Sequence, residues 1–125
     1  YERQGSMEEI YAVAHKFTAF MCCSDYYAVT LMKYLKAKGI RFPEDLSITG
    51  FDDNLYAQLA CPSLTTIHQD IFQRGTIAAE YLFKMIDGWN PKTTNLSLPV
   101  RLVVRDSVKI LNPPEDDSSD NGSAL

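Results

Sequence analysis

The chain has 125 residues, enough for one modest domain, and is 46% hydrophobic and 22% charged, as a soluble globular protein would be. Its net charge of −4 argues against direct nucleic-acid contact by this segment, and no apolar run approaches membrane-spanning length. Cys22, Cys23 and Cys61 form no C-x-x-C pair and have no neighbouring His pair. That excludes a zinc site and a disulfide framework, and fits small buried thiols in a reducing cytosol. Tyr1–Ser6 carries no initiator methionine and no visible signal peptide, and runs directly into a helical pattern, which reads as a piece of a longer chain.

Met7–Lys16 has near-helical apolar spacing, with Glu8 and Glu9 in the first turn where the helix dipole favours them. Phe17–Cys23 is a continuous apolar run of strand length, which predicts a strand covered on both faces. Ser24 is placed to cap the next helix and Asp25 to add charge at its start. Tyr26–Lys38 is the clearest helix: Ala28, Leu31, Met32 and Leu35 form one stripe, and Gly39 stands at its end. The strand Leu46–Phe51 follows. Helix, strand, helix, strand in this order predicts right-handed βαβ units and a parallel sheet.

Asn54–Ala60 reads as a short helix ended by Cys61–Pro62, and Leu64–Gln69 as an extended segment. Asp70 and Gln73 have capping-box spacing for a helix that runs to about Asp87. Its apolar face is Ile71, Gly75, Ala78, Ala79, Leu82, Met85 and Ile86, with close packing expected at Gly75 and a stop at Gly88. Trp89–Thr94 is a turn-rich loop. In Leu98–Arg105, Leu98, Val100, Leu102 and Val104 alternate with Pro99, Arg101, Val103 and Arg105. That predicts a strand with one better-buried face, near a sheet edge because of Pro99. Residues 113–125 are acidic and low in complexity, and are expected to be disordered.

The chemistry centres on Ser47–Asp53 (SITGFDD), a buried strand that runs into carboxylates and stops. Gly50 permits close backbone approach. Ligands of open α/β sheets sit outside the carboxyl ends of the strands, where Asp52 falls. The competing explanation is that Asp52 and Asp53 both cap the following helix. No nucleophile elbow, phosphate loop or dinucleotide fingerprint is present, and His15 and His68 have no partner at motif spacing, so no catalytic residue, metal or cofactor is expected. The side chains of adjacent Asp52 and Asp53 should diverge, which suits them poorly to facing acid/base work.

The segment from Thr18 to Val108 nevertheless resembles the carboxyl-terminal part of LacI/GalR-type transcriptional regulators. The similarity lies in Ala19–Met21 leading to Ser24–Ala28, then Leu35–Asp53, Pro62–Gln69 and Leu98–Ser107. Their order and spacing together are specific. The resemblance implies a Rossmann-like parallel-sheet subdomain of the type I periplasmic-binding-protein-like fold, with the chain crossing to part of a second α/β subdomain. Residues 1–66 and the last strand would lie in one subdomain and about 70–98 in the other, so that 1–112 form part of an effector-binding domain. It further implies binding rather than catalysis. Asp52, Gln69, Ser24 and Asp25 would stand at the ligand, with Asp25 mainly ordering its loop. Tyr27, Val29, Thr30, Lys33, Tyr56, Leu59 and Ala60 would form a homodimer face. The partners would be a small effector, a sugar in view of the hydroxyl-binding groups, and DNA only through a helix-turn-helix head absent here, in a cytoplasmic, non-membrane protein. The alternatives are a transporter's solute-binding protein of the same fold, or a receiver-type phospho-accepting module suggested only by carboxylates at strand ends.

Overall fold

The computed structural model describes residues 3–92 and 95–111. The elements are α1 (Arg3–Ala14), β1 (Ala19–Met21), α2 (Asp25–Ala37), β2 (Ser47–Asp52), α3 (Leu55–Leu59), β3 (Thr65–His68), α4 (Ile71–Ile86) and β4 (Arg101–Val103). The expected acidic tail, 113–125, lies outside the described residues. The strands form one sheet in the order β1-β2-β3-β4. β1 and β3 flank β2 in parallel, and β4 joins β3 antiparallel at the edge. The expected α/β class and parallel core are therefore present, and the edge position that Pro99 suggested for the last strand is found.

The core is where α2 meets the sheet. Ala28, Leu31, Met32 and Leu35, the stripe read from spacing, are all buried. They pack with Phe42, Leu46, Ile48, Ala57 and Leu64. Leu35 and Ile48 are wholly buried, and each such side chain contributes about 1.5–3 kcal/mol. α1 docks on α2 through Tyr34 Oη, which donates to Glu8 Oε1 at 3.1 Å, and through the Lys38–Glu8 ion pair at 3.6 Å. α1 starts earlier and ends sooner than its apolar spacing suggested.

Residues beyond β4 fasten the start of the sheet. Ser107 Oγ donates to the Ile48 carbonyl at 2.6 Å and accepts from the Thr65 amide at 2.9 Å. Ser107 is completely buried, so it satisfies two backbone groups where β2 and β3 have not yet paired. Asp106 adds a bond from Ser63 Oγ at 2.6 Å.

Several expectations need correction. β1 is not covered on both faces: it is a sheet edge, and Met21 is 89% exposed. Ser24 occupies the N-cap position with extended backbone, but its side chain makes no capping bond. The apolar alternation of 98–105 does not mark a buried face, because Val100, Leu102 and Val104 are exposed. No residue of α4 is buried, so the face read from its periodicity is bare. Nothing lies within 4 Å of a Cβ built at Gly75, so close packing does not explain that glycine. The cap of α4 is as expected, with Asp70 Oδ1 accepting from the Gln73 amide at 2.8 Å.

Candidate functional site

β2 and β3 run side by side and end together, with Asp52 opposite His68 in the register. The next residues, Asp53 and Gln69, complete a polar group at the carboxyl end of the sheet. Asp52 Oδ1 accepts from Gln69 Nε2 at 2.6 Å, and Gln69 Oε1 accepts from Arg74 Nη1 at 3.2 Å. Asp52 and Gln69 are both partly exposed, and the structure brings these two candidate residues within hydrogen-bond distance of each other. A carboxylate has about four acceptor positions, so Asp52 keeps capacity for a further donor.

The aspartates do not cap α3. Asn54 does, its Oδ1 accepting from the Tyr56 amide at 2.9 Å. Asp52 and Asp53 instead adopt left-handed backbone, with φ of 112° and 56°. Non-glycine residues held there cost about 1–3 kcal/mol each and need support from their surroundings. Asp53 has that support: Oδ1 accepts from Arg105 Nη2 at 2.6 Å, and Oδ2 lies 2.9 Å from His68 Nδ1. Its side chain is only 8% exposed. Burial raises its carboxyl, but the Arg105 and His68 hydrogen bonds and charges outweigh burial and hold it below the ordinary carboxylate range. The two side chains diverge, as adjacent positions at a strand end should.

Asp25 is fully buried beneath this turn. Oδ1 accepts from Thr66 Oγ1 at 2.5 Å and Oδ2 from the Asn54 amide at 2.8 Å. A Cβ at Gly50 would overlap Asp25 Oδ1 and Leu64 Cδ2, which is the close approach expected of that glycine. With both oxygens engaged inside the fold, Asp25 stands under the site rather than in it. Ser24 is partly exposed, and its carbonyl accepts from the Ala28 amide at 3.1 Å.

Among the proposed interface positions, Tyr27, Tyr56 and Leu59 are 47%, 55% and 74% exposed. Tyr26 stacks edge-on against both tyrosines, with centroids 5.6 and 5.8 Å apart. Lys33 is exposed, and Thr30 Oγ1 donates to the Tyr26 carbonyl at 2.7 Å. Val29 and Ala60 are not simply outward: both pack partly on this chain's own core.

Asp53, His68 and Arg105 were not singled out by sequence reasoning as a unit. They are 15 and 52 positions apart along the chain, beyond any local pattern. Burial pushes the Cys22 thiol up to about 11, with Cys23 adding to the shift, which suits an unreactive packed thiol, whereas Cys23 and Cys61 are exposed and not buried as expected. Among the described residues no group of three or more His, Cys, Asp or Glu side chains could hold a metal, and no helix is long and apolar enough to cross a membrane. Two hollows border the site. One of about 520 Å³ lies between α4 and residues 96–100, with Gln69 and Arg74 in its wall. The other, of about 420 Å³, is an apolar trough over Met21, Phe51, Ile67 and Leu102.

The sequence profile of the periplasmic binding protein-like domain matches residues 1–108. The chain is 32% identical over 106 residues to a probable HTH-type transcriptional repressor, ExuR, of Bacillus subtilis, covering 85% of this chain and 32% of that protein. It is 34% identical over 103 residues to the HTH-type transcriptional repressor PurR of Mannheimia succiniciproducens, covering 82% and 31%. Among solved structures, the transcriptional regulator CelR–cellobiose complex superposes with a TM-score of 0.75 at 31% identity, covering 82% of this chain and 32% of that one. The chain thus spans about a third of the length of the relatives it matches. Those relatives are named as transcriptional repressors. On profile, identity and fold together, the chain belongs to the periplasmic binding protein-like family, within its branch of LacI/GalR-type transcriptional regulators.

Proposed function

We propose that this chain supplies one wall of the effector site and part of the dimer face of a LacI/GalR-type regulator. The observation that carries the reading is the Asp52–Gln69 pair, 2.6 Å apart where β2 and β3 end. A carboxylate acceptor beside an amide that both donates and accepts suits the hydroxyl groups of a small polyhydroxylated ligand, most simply a sugar. The cellobiose carried by one structural relative supports that class. Ser24, the residue that precedes α2, contributes one hydroxyl of short reach. Asp25 acts beneath them by holding Thr66 and the Asn54 amide.

Gln69 follows β3 directly and Asp70 opens α4, so a ligand held by Asp52 and Gln69 bridges the sheet and the segment leaving it. Binding would favour one angle between these parts over another, by as much as the ligand's affinity for the two differs. In a cytoplasmic homodimer joined through Tyr27, Val29, Thr30, Lys33, Tyr56, Leu59 and Ala60, that angle would set the spacing of DNA-binding heads elsewhere in the longer protein. A transporter's solute-binding protein has the same fold, but relatives named as repressors favour the regulator. The phospho-accepting module finds little support, because Asp52 and Asp53 diverge to separate partners.

The test is Asp52→Asn in the intact regulator, with calorimetric titration against cellobiose, sucrose and ribose. Charge-assisted hydrogen bonds contribute about 1.5–3 kcal/mol, so affinity for whichever sugar binds should fall on the order of tenfold to a hundredfold, with the melting temperature nearly unchanged. Wild-type affinity in a folded variant would remove Asp52 from the site, and a large loss of stability would make it structural.

A further inference from the structure

The turn that carries Asp52 is the least relaxed backbone in the sheet. Two consecutive non-glycine residues, at φ of 112° and 56°, form it. Nothing in the residue types demands this geometry, since neither position is glycine. What surrounds Asp53 does. Its carboxylate is gripped at one oxygen by Arg105 and at the other by His68. Arg105 is itself tied down: Nη1 donates to the Leu64 carbonyl at 2.9 Å, and its amide donates to Thr65 Oγ1 at 2.9 Å. His68 sits in β3 immediately before Gln69. The grip therefore joins the end of β2, the end of β3 and the segment after β4, at side chains 8%, 35% and 18% exposed.

We propose that Asp53, Arg105 and His68 form a positioning strut that imposes the left-handed Asp52–Asp53 turn and so fixes the Asp52 carboxylate against Gln69. None of the three needs to touch a ligand. The guanidinium fork and the imidazole hold Asp53 from two directions, which determines where its Cα lies and where the preceding residue can point. Without them, Asp52 and Asp53 would relax toward ordinary extended backbone, and Asp52 would swing away from the Gln69 amide. The part of the inference that concerns ligand affinity rests on the proposed effector site; the part that concerns backbone geometry does not.

The first measurement needs no ligand. Three-bond amide–Hα couplings of Asp52 and Asp53 report φ directly by NMR, in the full chain and in Arg105→Met. The strut requires both couplings to change while those of Thr65 and Thr66 in β3 stay as they are. Unchanged couplings at Asp52 and Asp53 in a folded variant would overturn it. Should Arg105→Met fail to fold, Arg105→Lys and Asp53→Asn retain size and polarity while losing the fork or the charge, and the same couplings decide. The second measurement is calorimetric affinity for cellobiose, sucrose and ribose. Loss of a residue that orients a ligand-contacting group costs on the order of tenfold, so Arg105→Met should weaken binding by about that factor. Arg105→Lys should restore part of it. Weakening in Asp52→Ala with none in Arg105→Met overturns the strut. Changed couplings with sugar affinity indifferent to both variants leave the strut standing and remove the effector reading instead.

Discussion

Two regions of this molecule have equally clear apolar patterns and opposite fates. α2 buries its stripe completely against β2, with Ala28 and Leu35 at 0% exposure. α4 is longer and its apolar face is just as regular, yet Leu82, Met85 and Ile86 remain 57%, 50% and 69% exposed. The difference does not lie in helix propensity or capping, since α4 has the better side-chain cap. It lies in what the chain offers as a partner. β2 and the residue just before β3 supply Ile48 and Leu64 to the core that α2 covers, whereas residues 96–100 leave an open hollow beside α4. An apolar stripe is thus a demand for cover, and only the surrounding elements decide whether this chain meets it.

The sharpest way to break the comparison is truncation in each helix. Leu35→Ala should cost about 2–5 kcal/mol in denaturant titration, because it opens a cavity in a filled core. Leu82→Ala should change stability by less than about 0.5 kcal/mol, the range of surface substitutions. Equal losses at the two sites would mean that α4 is covered in solution.

The glycines give a smaller contrast. Gly50→Ala pushes a methyl group into Asp25 and Leu64, neither of which has room to give, and should cost about 1–3 kcal/mol. Gly75→Ala enters open space in a helix and should stabilise by up to about 1 kcal/mol. Destabilisation by Gly75→Ala would show that another surface packs there.

The last expected effect separates the sheet end at Asp53 from α4 by pH. The Asp53 carboxyl is lower in the folded state than in the unfolded chain, whose value is about 3.9. Its contribution to stability is therefore complete above about pH 5 and is lost as pH falls through the folded value. α4 has no comparable buried carboxylate among its described contacts. Melting temperatures from about pH 6 down to about pH 3 should fall less steeply in Asp53→Asn than in the unsubstituted chain. Parallel curves would mean that Arg105 and His68 do not hold Asp53 in solution.

Much of this was legible in the sequence where the cause is local. The α2 stripe, the Asp70 cap and the Gly50 approach follow from spacing or from a single residue's sterics. β1 and 98–105 misled because an apolar strand records only that its faces want cover. Met21 and Leu102 line the same uncovered trough. Ser24 looked like a cap from residue type, but its side chain makes no capping bond, and the buried Asp25 beside it is turned to Thr66 and the Asn54 amide. Asp52 was singled out from its place at a strand end and Gln69 from the family resemblance, whereas Asp53, His68 and Arg105 were not linked, because their meeting depends on β2 and β3 running parallel and β4 returning antiparallel along β3. No pattern within one element records that.

Ser107 has a bearing on how the chain is made. Its hydroxyl occupies the gap between the Ile48 carbonyl and the Thr65 amide, 59 and 42 residues upstream. Synthesis proceeds from the amino end, so β2 and β3 emerge from the ribosome well before the residue that seals them. Until it arrives, two backbone groups at the base of the sheet must stay hydrated, and the nascent sheet keeps an open seam. The final closure of the sheet is thus assigned to one of the last described residues to be translated, and a polypeptide stopped before Asp106 would carry all four described strands and still lack their fastening.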